Sequence, residues 1–155
     1  MLQRIQSVYL LFASLLTFSL FLFPLVHNVY IDGVPSTVKV TGIFHDVNGQ
    51  QAHTQTFVPL IAATAVVAIL PLILIFLYKN RKQQLALCYG YILVVIGYSF
   101  WMAQTVKSVA GDFTMTTNNF GIGALLSSII IVLVIMAAKA IQRDEKLVKS
   151  ADRLR

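Results

Sequence analysis

Four apolar runs, at 5–26, 57–78, 85–106 and 119–138, contain no Asp, Glu, Lys or Arg. Each is close to the ~20 residues that a helix needs to cross a ~30 Å hydrocarbon layer. The pattern predicts an all-α membrane protein, a four-helix transmembrane bundle forming one domain over 1–155. Charged residues inside spans usually mark ion paths, proton relays or buried sites. These spans carry no such marker.

The connection 27–56 has a different texture. Val38-Lys39-Val40 and Ile43-Phe44 are β-prone, and Asn48-Gly49 is a strong hairpin signal. Strands are predicted near 37–47 and 50–57, giving a small β-hairpin over 37–57 between helices 1 and 2. Asp32-Gly33 is a second turn candidate, which would let 28–31 add a third strand. A two-residue turn at Asn48-Gly49 sets Val47 opposite Gln50, His45 opposite Ala52 and Phe44 opposite His53. His45 and His53 then point to opposite faces.

Within the spans, Pro59 suits a helix start. Pro71 removes a backbone donor from a helix interior and should kink it. Ala86, Gly90 and Gly97 share one side of span three. Gly123 with Ser127, and Ala124 with Ser128, are small-xxx-small pairs in span four. Such residues let membrane helices approach closely, so Gly90, Gly97, Gly123 and Ser127 are expected at helix contacts. Cys88 reads as a small packing residue, and Trp101 as an interfacial anchor.

Beyond Ala138 there is no Gly or Pro, so the fourth helix can run on through the tail 139–155. Ala140, Leu147, Ala151 and Leu154 fall on one stripe, and Glu145 with Lys149 makes a favourable i, i+4 pair. A helix continuous from Asn119 to Arg155 would be roughly 55 Å long. The tail reads either as a solvated extension or as a docking helix for a partner or the lipid surface.

Charge sets the expected orientation. Arg4, Lys79, Arg81, Lys82, Lys139, Arg143, Lys146, Lys149, Arg153 and Arg155 fall on one side of the four spans, and Lys39 and Lys107 on the other. Basic residues collect on the cytoplasmic side. Both termini and the tail are therefore expected in the cytoplasm, and 27–56 and 107–118 outside. The net charge of +6 follows from that rim and does not suggest nucleic-acid binding. Mean hydropathy is +0.77 and charged residues make up 12%, against roughly 25% in soluble domains. The first run is too long for a signal-peptide core of ~7–15 residues and lacks a small-residue cleavage pattern, so it reads as an uncleaved anchor.

Little chemistry accompanies this layout. A single cysteine excludes an intramolecular disulfide and dithiol redox catalysis. His27, His45 and His53 all lie in the first connection, but the pairing above separates the last two, and no metal or other cofactor is expected. Asp112 reads as a solvated carboxylate. Ser99 and Ser127 have no histidine within a span to activate them. No zinc-protease, nucleophile-elbow or phosphate-loop motif occurs. Tyr89, Tyr91 and Tyr98 of span three read as packing or interfacial residues, and Pro71 beside this aromatic span also leaves room for a lipid or quinone site.

Gln3-Arg4-Ile5-Gln6-Ser7-Val8-Tyr9-Leu10-Leu11, the link Asn80-Arg81-Lys82-Gln83 and the tail from Asp144 to Arg155 together resemble one group. It is the bacterial membrane family named domain of unknown function 4293. The resemblance spans essentially the whole chain and implies a four-span cytoplasmic-membrane protein. It implies no enzyme activity, and its recognisable motifs sit at the cytoplasmic ends.

The expectation is a non-enzymatic subunit or scaffold of a membrane protein complex. Its contact surfaces would be the hairpin and a cytoplasmic rim of Arg4, Lys79, Arg81, Lys82, Arg143, Lys146, Leu147, Lys149, Arg153, Leu154 and Arg155. Partners would be the bilayer and other membrane proteins, with secretion or insertion machinery as one class. The alternative is a binder or transporter of a small neutral or apolar ligand, such as a lipid or quinone. A membrane enzyme using His45, His53 or Asp112 is a third and weaker reading.

Overall fold

A computed structural model describes residues 3–31, 33–47, 50–78, 80–110 and 119–152. The order of elements is α1 (Gln3–Ser19), β1 (Val26–Ile31), β2 (Val34–Lys39), β3 (Gly42–Val47), β4 (Gln50–Thr56), α2 (Val58–Phe76), α3 (Arg81–Ala110) and α4 (Ile122–Asp152). The fold is mostly helical, with one small antiparallel sheet. α1 packs against α2 and α4, and α3 packs against α4, α2 and β1. Leu10, Ala13, Val67, Cys88, Val95, Ile130, Val134 and Ala137 form the centre of the helical core. Three helices, α2, α3 and α4, are long and apolar enough to cross a membrane.

The first apolar run does not make one helix. α1 ends at Ser19, and Leu20 to Phe23 turn back on the carbonyls of Thr17, Phe18 and Ser19. Pro24 explains the stop, because it lacks an N–H and biases the preceding residue away from helix. Leu25 then joins the sheet, donating its N–H to the Val38 carbonyl at 2.9 Å. At 17 residues α1 is about 25 Å long, shorter than α2, α3 and α4.

The sheet has four strands in the order β1-β2-β3-β4, one more than expected. The expected strand 37–47 breaks at Val40-Thr41 and doubles back as β2 and β3. Gly42 makes that corner: its φ is +152°, and a Cβ there would collide with the Gln55 carbonyl. The expected pairing of Val47 with Gln50, His45 with Ala52 and Phe44 with His53 is found, with a bulge at Ile43/Phe44. The Asn48-Gly49 turn and Asp32 lie outside the described residues. A second bulge, between Val26 and Val29, puts Asn28 at a positive φ of 54°, which asparagine tolerates well.

Two glycines brace the sheet against the last helix. A Cβ on Gly121 would strike the Pro24 carbonyl, and one on Gly123 would meet it at 2.7 Å. Gly121 donates its N–H to the Leu25 carbonyl at 2.9 Å, and Gly123 to Pro24 at 3.0 Å. Asn119 donates its side-chain amide to the carbonyls of His27 and Asn28, and Phe120 forms a bridge with Val26. Donors left open at a helix start thus find carbonyls in the chain leading into β1. Gly123 therefore permits a close approach, but to that backbone rather than to another helix.

Gly90 and Gly97 are not at a helix contact. Both are exposed, with open space where a Cβ would stand. α3 turns its other side inward, burying Gln84, Cys88, Tyr91, Val95, Tyr98 and Met102. The large residues win because their polar tips find partners on α2.

Candidate functional site

A cleft of about 560 Å³ opens between α3 and α4 at the sheet end of the helices. Ile96, Met102, Ala103 and Val106 form its α3 wall. Ala124 and Ile131 form the α4 wall, and Leu25, Val26 and Phe120 close the sheet end. Four polar residues join them: Ser99, Ser127, Ser128 and Lys107. The volume lies in the ~300–1,000 Å³ range of ligand sites, and such sites are mostly apolar with a few polar groups.

Hydroxyls in these helices mostly bond back along their own turn. Thr17 donates to Ala13, Thr64 to Leu60 and Ser99 to Val95, at 2.6–2.8 Å. Ser127 does not. Its hydroxyl is buried without a hydrogen-bond partner among the described residues. Ser127 was expected at a helix contact; it is buried, yet it belongs to the cleft wall. Ser128, beside it, is exposed. Lys107 is exposed in the last turn of α3.

A second set of polar groups holds the helices together. α2 continues through Pro71. Proline has no N–H, so the carbonyl of Val67, four residues earlier, loses its helical donor. The Tyr91 hydroxyl donates to that carbonyl at 3.1 Å. Ser14 of α1 donates to the next carbonyl, Ala68, at 2.7 Å. Thr64 and Tyr98 share a hydrogen bond of 2.6 Å. Gln84 caps the end of α2 by donating to Leu74 at 2.9 Å. Tyr91 and Tyr98 thus serve α2–α3 packing.

At the end of the helices remote from the sheet, Gln6 of α1 donates to the Asp144 carboxylate at 2.5 Å, and both residues are buried. Ile141, one turn back, is fully buried. The tail is therefore held on α1 over this part of its length. Its inward stripe is Ala137, Ile141 and Asp144, whereas Leu147 of the expected stripe is 55% exposed. A polar residue can take the core position because Gln6 supplies its hydrogen bond. Nothing in the alternation of apolar residues revealed this pair, since both partners count as polar. Gln142 donates to the Tyr89 hydroxyl at 2.6 Å, tying α4 to α3 nearby.

Lys82, Arg143 and Lys146 of the expected basic rim are exposed, and Arg81 is half-buried. Lys79, Arg153, Leu154, Arg155 and the side chains of Arg4, Lys149 and Ala151 lie outside the described residues. Asp112 does too. On the sheet, His45 Nδ1 lies 2.6 Å from the Ser36 hydroxyl, while the His53 ring meets Phe44 edge-on with centroids 4.9 Å apart. Lys39 Nζ lies 5.0 Å from the centre of the Phe44 ring. Among the described residues, no three His, Cys, Asp or Glu side chains converge as a metal site.

No curated protein and no solved structure matches the chain. The motifs at its opening, its central link and its tail, together with long apolar helices, point the same way as a comparison with protein families. The family model described as Domain of unknown function (DUF4293) matches residues 2–154, and the chain belongs to that family.

Proposed function

We propose that this chain is a non-enzymatic subunit of a membrane protein complex, embedded as a four-helix bundle in a bacterial inner membrane. One observation carries the reading: α4 is a single helix, about 46 Å long over its 31 residues, held at its start and again at Asp144. At one end Gly121 and Gly123 are bonded to the chain entering the sheet. At the other, Asp144 accepts from Gln6 of α1, one turn beyond the buried Ile141. Such a strut keeps a sheet on one side at a set distance from a basic helical face on the other. That suits a scaffold better than a transporter whose halves must move.

The helix faces support membrane placement. Phe12, Leu15, Val66, Ile73, Leu93, Phe100, Leu125 and Val132 are exposed, a pattern rare on soluble proteins but ordinary against lipid. α1 crosses as the short first span, extended by the turn through Phe23. The charge asymmetry supports a cytoplasmic position for both termini. Arg143, Lys146 and Leu147 form the contact face there, and the β4 edge is the contact on the outer side.

Mild solubilisation and co-purification test this. A partner at stoichiometric level should accompany the protein, and the triple change Arg143→Glu, Lys146→Glu, Leu147→Ala should release it. A lone monomer of unchanged fold, with or without those changes, would defeat the proposal.

A further inference from the structure

We propose that the cleft between α3 and α4 binds one acyl chain of a phospholipid with an anionic headgroup. The inference rests on the membrane placement proposed above and is independent of any protein partner. Its first support is length. From Lys107 to Ile96 the α3 wall runs about 16 Å, close to half of a ~30 Å hydrocarbon layer. The site therefore has the depth of one leaflet, on the sheet side.

The second support is the order of polarity along the wall. Along the helices Lys107 is the lining residue of α3 nearest the sheet, and the apolar Ile96 and Ile131 are those of α3 and α4 farthest from it, with Ser99 one turn from Ile96 and bonded back to Val95. Between them are Ser127 and Ser128, about 7 Å below the start of α4. An amphiphile with a phosphate, then ester carbonyls, then a hydrocarbon tail repeats this sequence. The cation meets the phosphate. The serine hydroxyls donate to the carbonyls, which have no donors of their own. Ser127 is the informative residue, because its hydroxyl is buried and unpartnered. The residue lines the cleft, and a carbonyl placed there would accept its hydroxyl.

The third support is access and pre-formation. Ile96, Ala103 and Ser128 are exposed on the lipid side, so a chain can enter sideways without crossing the sheet. The bonds from Gly121 and Gly123 to Pro24 and Leu25 hold the α4 end in place beside α3. Charge selects among apolar occupants. A quinone would fill the depth but leave Lys107 unanswered.

The test uses the purified full chain in phosphatidylcholine vesicles. The probe is phosphatidylglycerol carrying a photoreactive diazirine midway along one acyl chain. A phosphatidylcholine probe with the same chain is the control, and adducts are located by mass spectrometry. Adducts should concentrate at Ile96, Met102, Ala103 and Ile131 over the lipid-facing Leu93 and Val66. The anionic probe should label the cleft about five-fold more than the neutral one, the effect of one surface cation on an anionic lipid. Lys107→Gln should bring the two level. Ala103→Trp should empty the cleft of label while Leu93 and Val66 keep theirs, which shows that the fold survives.

Equal labelling of the cleft, Leu93 and Val66 would overturn the inference and leave only a lipid annulus. Equal labelling by both probes would overturn it in favour of a neutral occupant. An unlabelled cleft in which a photo-crosslinker at Ala103 captures a protein chain would also overturn it. Absence of label at Leu93 and Val66 as well would defeat the membrane placement itself, a result distinct from failure of the cleft alone.

Discussion

At Pro71 the chain gives up one backbone donor, and a side chain on the neighbouring helix makes good the loss. Tyr91 holds the Val67 carbonyl that the proline leaves open. Tyr91→Phe should therefore cost about 0.6–1.7 kcal/mol, the usual worth of a hydrogen bond between membrane helices. In a Pro71→Ala background the helical donor returns and the same change should cost less. Unfolding of the four proteins in a double-mutant cycle checks this, and a coupling of zero would refute it. The glycines make a second residue-scale contrast. Gly121→Ala forces a methyl onto the Pro24 carbonyl and should destabilise by roughly 1–3 kcal/mol, as overpacking does. Gly90→Ala and Gly97→Ala meet open space and should leave stability unchanged or raise it by up to ~1 kcal/mol each. Thermal unfolding of the three variants in detergent separates these outcomes. The sequence shows that all these residues are small. It does not show which of them has something close by, because that depends on how each helix is turned.

Among elements, apolar runs located α2, α3 and α4 well because each run is bounded by charge or strand-like sequence. The first run misled because apolarity records burial and not conformation. Leu20 to Val26 stay apolar while passing from helix to turn to strand. Pro24 was the visible signal for the break. In the sheet, the β3–β4 register was legible from the turn at Asn48-Gly49, whereas the β2–β3 corner was not, because Val40-Thr41 reads as strand. Gly42 was its one clue. The tail kept its helical period, but its inward face was hidden by a polar pair. That pair makes an element-scale prediction. Gln6→Leu strands a buried carboxylate and should cost about 1–3 kcal/mol, seen as faster proteolysis of the end of α4. Gln6→Leu with Asp144→Leu should recover most of the loss, since neither polar partner is then left alone. Equal proteolysis of the single and double variants would contradict the account.

For the molecule as a whole, the charge distribution and the strut agree on a two-sided object. Reporters fused after Arg155 and inserted at the Asn48-Gly49 turn should report opposite sides of the membrane, the first inside and the second outside. The same side for both would mean that α2, α3 and α4 do not all cross, and would overturn the four-span reading. The cleft was not legible in advance. Ser99, Ser127 and Ser128 are ordinary residues in apolar runs, and they meet only because α3 and α4 are neighbours.

The bond from Gln6 to Asp144 also puts a clock on assembly. Its partners are 138 positions apart, so at ~5–20 residues per second the first helix is made roughly 7–28 s before the residue that satisfies it. The Pro24 carbonyl waits for Gly123, 99 positions on, for roughly 5–20 s at the same rate. During that interval α1 is held to α2 through Ser14 and Ala68. The helix made last closes the start of the helix made first and the segment that leads from it into the sheet, so this protein cannot mature piecewise from its beginning. A ribosome stalled before Gly121 would hold a chain whose sheet and first helix both lack their final supports.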